Sequence, residues 1–387
     1  MLSERLLSAT VGAGARKLFR STNAPGTLPA PNPGHAYLLY VHIPFCDVLF
    51  PSIREVSCET NPPHLDRTRL ERLSAMVQRL SVGVQSFDNT LLKRMDRYGK
   101  YGSAEQIVER IQNTHDMFGT FNVDMIFNFP GQTEEMVLRD IETFRTTGAN
   151  QITYYPLMTS PGSERLMETC FHGKVDPARE QRLYHAIFDA MTADTAAGGA
   201  GFHASDVYTF AQDKQAMIDE YVVDYGEYVA AGCGGYSFLG DQIFANDSSL
   251  AGYCRRVGEH ATSVTSRIDM GSANEKRYRM GRELFGLRLD NRAWKRDFGR
   301  YIQYDLPMEY GYLAANGAFA ANNADELTLT RKGRYLVLAM MRQVFIGMNT
   351  ERDRLRAMLP PCERKMFDDS AAQQIAAARA ADEAGRA

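Results

Sequence analysis

The sequence of 387 residues predicts an α/β fold built on a parallel sheet, followed by a smaller mixed α+β domain. Two observations indicate this class. Short runs rich in β-branched and aromatic residues alternate with amphipathic segments up to about residue 210, as they do in sheets with helical crossovers. Beyond that point the alternation stops, and the Gly- and aromatic-rich stretch GCGGYSFLGD follows.

Five strands are predicted in the first part of the chain. Each is short and rich in β-branched or aromatic residues, as buried parallel strands are. Ligands of such sheets bind at the carboxyl edge, so the residues at the strand ends become candidates for a site. The strands are Tyr37–Ile43, Ile53–Thr60, Leu80–Ser86, Phe121–Phe127 and Gln151–Met158.

Three helices are predicted between these strands, at Leu65–Gln78, Ser103–Phe118 and Thr133–Thr147. Ser103 is a suitable N-cap, and Gln106 three residues later completes the pattern of a capping box. Thr133 is followed by two glutamates, which favour a helix N-terminus through the macrodipole.

The connection between the first two strands is too short for this arrangement. Only nine residues separate them, whereas a parallel crossover needs roughly a dozen or more. The later connections are long enough. A segment that belongs between the first two strands is therefore missing from the chain.

Composition and charge limit the classes of partner and the cellular location that we expect. The net charge of −3 gives no electrostatic footprint for nucleic acid, and no apolar run is long enough to insert in a membrane. The first twenty residues lack a long apolar core and predict a surface helix and not a signal peptide, so we expect a cytoplasmic protein. The six cysteines show no CxxC or CxxxC spacing, which predicts reduced thiols.

We divide the chain into an N-terminal extension (1–35), an α/β domain (36–210), a C-terminal domain (211–370) and a tail (371–387) that is a frayed helix or disordered.

Residues 326–347 predict a strand, a turn at Lys332–Gly333 and a helix. A winged-helix DNA reader is one interpretation, but the Leu/Met-rich helix favours inward packing. Trp294 is predicted to anchor a helix at the surface.

Several motifs carry a resemblance to a known family. They are Tyr40-Val-His-Ile-Pro-Phe-Cys46, Ser57-Cys-Glu-Thr-Asn-Pro62, Gly83-Val-Gln-Ser-Phe87, Arg97, Asn122-Val-Asp-Met-Ile126 and Phe129-Pro-Gly-Gln132. In this order they resemble the radical SAM family that contains oxygen-independent coproporphyrinogen III oxidase. The resemblance implies a partial parallel β/α radical-SAM barrel, a 4Fe–4S cluster and S-adenosyl-L-methionine (SAM).

The cluster motif of that family is incomplete in this chain. The family continues as Cys-x-x-x-Cys-x-x-Cys, so that Cys46 matches the first ligand while Phe50 and Ile53 stand at the other two positions. Neither of these side chains can ligate iron. The family's Gly-Gly-Gly-Thr-Pro strand is also absent between Cys46 and Glu59, which agrees with the short connection. One βα unit is missing between residues 46 and 57.

The SAM-facing positions of the family are better preserved. The resemblance implies that Tyr40 lies against the sulfonium and that Glu59 and Arg97 form a polar pair near the methionyl end. It implies further that Gln85 and Asp124 hydrogen-bond the ribose hydroxyls. The alternative for each residue is a buried polar group at a strand end, satisfied by the protein itself.

The C-terminal half most resembles the haem-utilisation branch of the family, whose members methylate haem, open the ring and release iron with electrons from a donor such as a flavodoxin-type protein. Three hypotheses follow. The chain is such a radical enzyme, or a non-catalytic haem- or porphyrin-binding protein or coproporphyrinogen-oxidase-like relative, or a deletion product without function. The incomplete cluster motif favours the second and third hypotheses.

Restoring the two cysteines is not expected to restore SAM cleavage. The F50C/I53C double variant supplies the missing thiolates but not the missing glycine-rich strand. After anaerobic reconstitution with iron and sulfide, we expect no 5′-deoxyadenosine in a chromatographic assay. Formation of that product above the wild-type level would contradict the interpretation of one contiguous loss.

Overall fold

The computed structural model describes residues 10–13, 22–23, 28–29, 38–41, 56–196, 201–214, 227–259 and 263–384. Fifteen strands lie in these ranges. They are β1 (Thr22–Asn23), β2 (Leu38–Val41), β3 (Ser57–Thr60), β4 (Arg79–Gln85), β5 (Thr120–Phe127), β6 (Gln151–Pro156), β7 (His203–Ala204), β8 (Thr209–Ala211), β9 (Tyr228–Ala231), β10 (Tyr236–Leu239), β11 (Gln242–Asn246), β12 (Val264–Asp269), β13 (Arg288–Asp290), β14 (Phe319–Asn322) and β15 (Glu326–Leu329).

The helices of the described ranges are numbered in the same way. They are α1 (Arg67–Ser74), α2 (Asn89–Arg94), α3 (Tyr98–Tyr101), α4 (Ala104–Gln112), α5 (Glu134–Arg145), α6 (Pro161–Phe171), α7 (Pro177–Ala196), α8 (Leu250–Gly258), α9 (Gly271–Phe285), α10 (Asn291–Phe298), α11 (Ile302–Asp305), α12 (Pro307–Ala315), α13 (Arg331–Ala357) and α14 (Pro361–Ala384). Short 3-10 turns lie at Pro62–His64 and His115–Met117.

The described residues form two compact units. The first contains the described residues up to 48 together with 220–367, and the second contains those of 49–219 together with 368–384. Sheet A, in the first unit, has the order β1-β12-β11-β10-β9-β2, and sheet C in the same unit has the order β13-β15-β14. Sheet B, in the second unit, has the order β3-β4-β5-β6-β8-β7.

Sheet B confirms the predicted α/β class. Its strands β3 to β6 are parallel and in chain order, and β8 and β7 add an antiparallel edge. The strands β4, β5 and β6 agree with the predicted ones to within two residues at either end. The helices α4 and α5 begin at the predicted caps, since Ser103 and Gln106 form a capping box and Thr133 accepts a hydrogen bond from the amide of Met136.

The first two predicted strands do not pair with each other. β2 runs parallel to β9 at one edge of sheet A, with Tyr40 opposite Ala230, while β3 forms one edge of sheet B beside β4. The short connection between them thus links strands of different sheets, so the expectation of a parallel crossover between them is wrong, and its length does not by itself require a missing segment. Of the predicted strand Ile53–Thr60, only the part from Ser57 on is a strand in the described residues.

Sheet B has one apolar and one polar face. Alternate residues of a strand point to opposite faces, and in β4 and β5 the side chains of Leu80, Val82, Val123 and Met125 are fully buried on the apolar face. The crossover helices supply matching apolar side chains. The other face carries Ser57, Glu59, Arg79, Ser81, Asn122, Asp124, Gln151, Thr153 and Thr209.

Three expectations about the C-terminal half need correction. Trp294 is completely buried and not at the surface, because α10 turns it inward, where its indole N–H donates to Asp305 at 3.0 Å. Lys332 and Gly333 lie within the first turn of α13 and not in a separate turn, since Thr330 caps that helix. The end of the chain is a regular helix up to Ala384, and Ala378 on it is buried.

The helix α13 packs inward, as its sequence predicts, with Leu336, Val337, Leu338 and Met341 buried. The order α9-β13-α10-α11/α12-β14-β15 is that of a winged helix, with sheet C as its wing. Among the described helices, none combines the length and the apolar character that crossing a bilayer requires.

Gly333 is required by the close approach of α13 to the chain before β14. A Cβ at this position would overlap the backbone carbonyl of Ala318, which cannot move because it also accepts a hydrogen bond from the Thr330 amide at 2.8 Å. We therefore expect Gly333→Ala to lower the free energy of unfolding by about 2 kcal/mol or more in urea denaturation.

Gly281 in α9 is the matched control, because a Cβ there meets only Met341 Sδ at 3.6 Å. Gly281→Ala is expected to raise the free energy of unfolding by up to about 1 kcal/mol through helix propensity. Equal effects of the two substitutions would contradict the proposed overlap.

Candidate functional site

A network of hydrogen bonds crosses the polar face of sheet B and centres on Asp124. Its carboxylate accepts from Ser81 Oγ at 2.7 Å and from Asn122 Nδ2 at 2.8 Å. Asn122 Oδ1 accepts in turn from Thr153 Oγ1 at 3.0 Å, and Thr153 and Thr209 share a hydrogen bond of 3.1 Å. The network fixes the orientation of the Asp124 carboxylate near the carboxyl end of β5.

A buried arginine supports the network at the other end of the strands. Arg79 is 1% exposed, and its guanidinium donates to Gln151 Oε1 at 2.8 Å and to Ser57 Oγ at 3.1 Å. Asp206, also buried, lies close enough for Arg79 to stabilise its charged form, although burial still raises the pKa of Asp206 to about 6. The interior of this face is therefore polar throughout and internally satisfied.

Gln85 ends β4 in a strained conformation. Its φ of 76° lies in the left-handed region, which residues other than glycine rarely adopt, and the register with β5 shifts between Gly83 and Gln85. A Cβ on Gly83 would come within 2.9 Å of Gln85 Nε2, so the amide of Gln85 lies over Gly83. Since Gly83 is the register partner of Asp124, this brings Gln85 and Asp124 to neighbouring positions.

Arg97 completes this cluster from the segment that follows α2. Its guanidinium donates to the carbonyl oxygen of Gly83 and to Asn61 Oδ1 at 3.5 Å, and it stacks on the Tyr101 ring with 4.3 Å to the centroid. Burial lowers the pKa of Arg97. Its Nε is buried without a hydrogen-bond partner, which leaves an unsatisfied cationic donor suited to an anionic ligand.

The contacts that the structure gives for Arg97 do not include the expected one with Glu59, which is exposed on β3. Gly83, Asn61 and Tyr101 hold the guanidinium. The structure thus brings Gln85, Arg97 and Asp124 together around Gly83, with Glu59 opposite Ser81 on the same face.

The remaining site predictions fall elsewhere. The backbone of Tyr40 lies in β2 of sheet A, in the first unit, and its side chain is outside the described residues. Cys46, Phe50 and Ile53 also lie outside the described residues.

Sequence reasoning missed most of the polar face, namely Ser81, Asn122, Thr153, Thr209 and Arg79. The signal was present as alternation. RLSVGVQ places a polar or small residue at every second position, and FNVDMIF does so at Asn122 and Asp124, whereas parallel strands covered on both faces are apolar throughout. A period of two in parallel strands indicates one polar face.

A 4Fe–4S cluster does not fit the donor set of this chain. A cluster needs thiolates, and the motif in the sequence holds Cys46 with Phe50 and Ile53 in the other two positions. Within the part of the chain that the structure describes, no group of three His, Cys, Asp or Glu side chains is placed to hold a metal ion. SAM fits better, because the unsatisfied Arg97 Nε and the Asp124 carboxylate match its carboxylate and its ribose.

Comparison with known proteins finds a superfamily match and a similar fold. The sequence pattern of the Radical SAM superfamily matches residues 29–144. Coproporphyrinogen III oxidase from Escherichia coli, described as a radical SAM enzyme, has a similar fold with a TM-score of 0.60 at 18% identity. The match covers 75% of this chain and 69% of that one. Residues 29–144 thus match the Radical SAM superfamily, and the fold is similar to that of a radical SAM enzyme.

Similar sequences occur among haem chaperones. The haem chaperone HemW of Bacillus subtilis is 25% identical over 308 residues, which cover 75% of this chain and 76% of that protein. HemW of Lactococcus lactis is 34% identical over 228 residues, covering 56% of this chain and 58% of its own length. The chain is thus similar in sequence to the haem chaperones HemW and in fold to coproporphyrinogen III oxidase.

A buried carboxyl group holds the loop that carries the site. Asp140 of α5 is 3% exposed and accepts hydrogen bonds from the amide of Phe87 at 2.9 Å and from Ser86 Oγ at 3.0 Å. Both residues directly follow Gln85. Burial outweighs these hydrogen bonds and raises the pKa of Asp140 to about 7.

This raised pKa predicts a pH-dependent stability. The folded state binds a proton that the unfolded state has lost between about pH 4 and pH 7, so the contribution of Asp140 falls as the pH rises through this range. We expect the free energy of unfolding of the wild type, relative to Asp140→Asn, to fall by at most about 1.4 kcal/mol per pH unit and to level off above pH 7.

Urea titrations of both proteins at a series of pH values check this. Asp206 has a raised pKa as well, but it is present in both proteins, so its contribution cancels in the difference. A difference that does not change with pH would contradict the raised pKa of Asp140.

Proposed function

We propose that this chain binds haem or a related porphyrin, together with an adenosyl ligand such as SAM, and does not generate a radical by itself. One observation carries the proposal. The polar cluster of Gln85, Arg97 and Asp124 is intact, while the cluster motif keeps one thiolate, Cys46. The haem chaperones among the relatives support haem as the ligand class. A cytoplasmic location fits the predicted reduced thiols.

The residues of the cluster would divide the binding of SAM between them. Asp124 would accept hydrogen bonds from the ribose hydroxyls, since its carboxylate is already oriented by Ser81 and Asn122. Gln85, beside Asp124, would donate a hydrogen bond to the ribose hydroxyls or accept one from them. Arg97 would donate its free Nε–H to the methionyl carboxylate. SAM would supply an activated methyl group when bound.

The runner-up is an enzyme that degrades haem by radical chemistry. The resemblance of the C-terminal half to the haem-utilisation branch favours it, and it requires a cluster and an electron donor such as a flavodoxin-type protein. The donor set argues against it, because two thiolates would have to come from elsewhere.

Titration with haemin and with SAM tests the proposal. With haemin we expect a saturable shift of the Soret band. With SAM we expect binding that is measurable by calorimetry. Arg97→Met is expected to bind SAM with at least tenfold lower affinity, because that variant loses the cationic donor. Lys93→Met is the matched control, since Lys93 is an exposed cation on the neighbouring helix α2. It is expected to bind SAM like the wild type.

Anaerobic reconstitution with iron and sulfide separates the two functions. The proposal predicts no absorbance near 400 nm, while the B. subtilis relative treated in parallel serves as the reference. Uptake of about four irons per chain would support the radical enzyme instead. Absence of saturable haemin binding and of SAM binding would overturn the proposal itself.

A further inference from the structure

The segment that joins α11 to α12 exposes an unusual amount of apolar surface. Met308 is 81% exposed and Tyr304 is 59% exposed, and both lie within five residues of the chain. Pro307 between them is exposed as well. No other large apolar side chain in the described ranges is as exposed as Met308. We call Tyr304, Pro307 and Met308 the apolar patch.

The carboxylates next to the apolar patch are turned away from solvent or neutralised. The Asp305 side chain is 5% exposed and pairs with Lys276 at 2.8 Å, besides accepting from the Trp294 indole. Glu309 pairs with Arg277 at 2.6 Å. These are the two acidic residues of the segment 301–315, so the patch itself carries no free negative charge.

Two exposed cations at its rim lack acidic partners. Lys295 lies 4.5 Å from the ring centroid of Tyr301, and Arg300 lies 5.7 Å from that of Tyr304. The ion pairs of the described residues include neither of them, whereas the neighbouring Arg296 is paired with Asp297. The surface therefore combines an apolar centre with an uncompensated positive rim.

A second exposed methionine shows that this combination is particular to α11 and α12. Met358 is 71% exposed near Phe367, and Arg356 lies 4.9 Å from the Phe367 ring centroid. There, however, Arg356 is also within 3.7 Å of the carboxylate of Asp353. That surface has the same side-chain types with its charge compensated, and it serves as a matched control.

We infer that the apolar patch, with Lys295 and Arg300, docks an acidic segment of another protein that presents an apolar side chain between carboxylates. Tyrosine, methionine and arginine are enriched in the cores of protein interfaces, and complementary charge at the rim steers association. In exposed cation–tyrosine pairs the cationic group stays accessible, so that it can bind a carboxylate with little movement of its side chain.

Nucleic acid fits this surface less well. In a winged helix the helix at the position of α12 enters the DNA groove, and phosphate contacts there come largely from Lys and Arg. The segment 301–315, which contains α11 and α12, has neither residue.

Fluorescence anisotropy with a labelled acidic peptide tests the inference. The probe is an eight-residue peptide with three glutamates on each side of a central Leu-Trp pair, and the same peptide with lysines replacing the glutamates is its counterpart. We expect saturable binding of the acidic peptide by the full chain, weakened by salt, and no binding of the lysine peptide. Arg300→Glu and Met308→Glu are each expected to weaken binding at least tenfold.

Arg356→Glu and Met358→Glu are the controls and are expected to bind within twofold of the wild type. Both pairs of substitutions are on the surface, and unchanged thermal unfolding shows that the variants fold. Equal losses in the two pairs, or no loss in either, would overturn the inference. Two further results would overturn it, since each identifies a different occupant. One is binding of a labelled DNA duplex that Arg300→Glu abolishes. The other is a dimer in sedimentation that Met308→Glu dissociates.

Discussion

The hydrogen bond that Ser81 donates to Asp124 joins β4 and β5 of sheet B on its polar face, and Asn122 holds the same carboxylate from within β5. The site depends on both. A carboxylate in this half-buried position is costly unless it is held by donors. Asn122 passes the constraint to Thr153 on the next strand. Three parallel strands are thereby locked in register by side chains as well as by backbone hydrogen bonds, and the carboxylate keeps one orientation.

The two faces of sheet B are each covered or satisfied within the second unit. Sheet B buries its apolar face beneath the crossover helices, and the polar face satisfies its own hydrogen bonds from Arg79 to Thr209. Neither face therefore needs a further strand to bury apolar surface. Phe50 and Ile53 lie outside the described residues, whereas the strands that carry Gln85 and Asp124 are part of sheet B.

Much of this fold could be predicted from local signals, because β4, β5 and β6 are short apolar runs and Ser103 and Thr133 mark helix starts. Other features depend on contacts far apart in the sequence. Arg97 donates to the backbone carbonyl of Gly83, and no pattern of side chains in the sequence predicts a contact with a backbone group. Trp294 is buried because Asp305 accepts from its indole, and an isolated helix gives no sign of that. The left-handed Gln85 follows from the register shift with β5.

The last helix, α14, has a consequence for the order in which the protein forms. Its Asp382 binds Arg94 at 2.5 Å and His172 at 2.6 Å, and Ala378 packs against Leu91 and Phe129, which follow β4 and β5. The segments that follow β4 and β5 are thus held by contacts that span up to 288 residues of sequence. Since a loop of this length must close before these contacts form, we expect them to form after the pairing of β4 with β5 during folding.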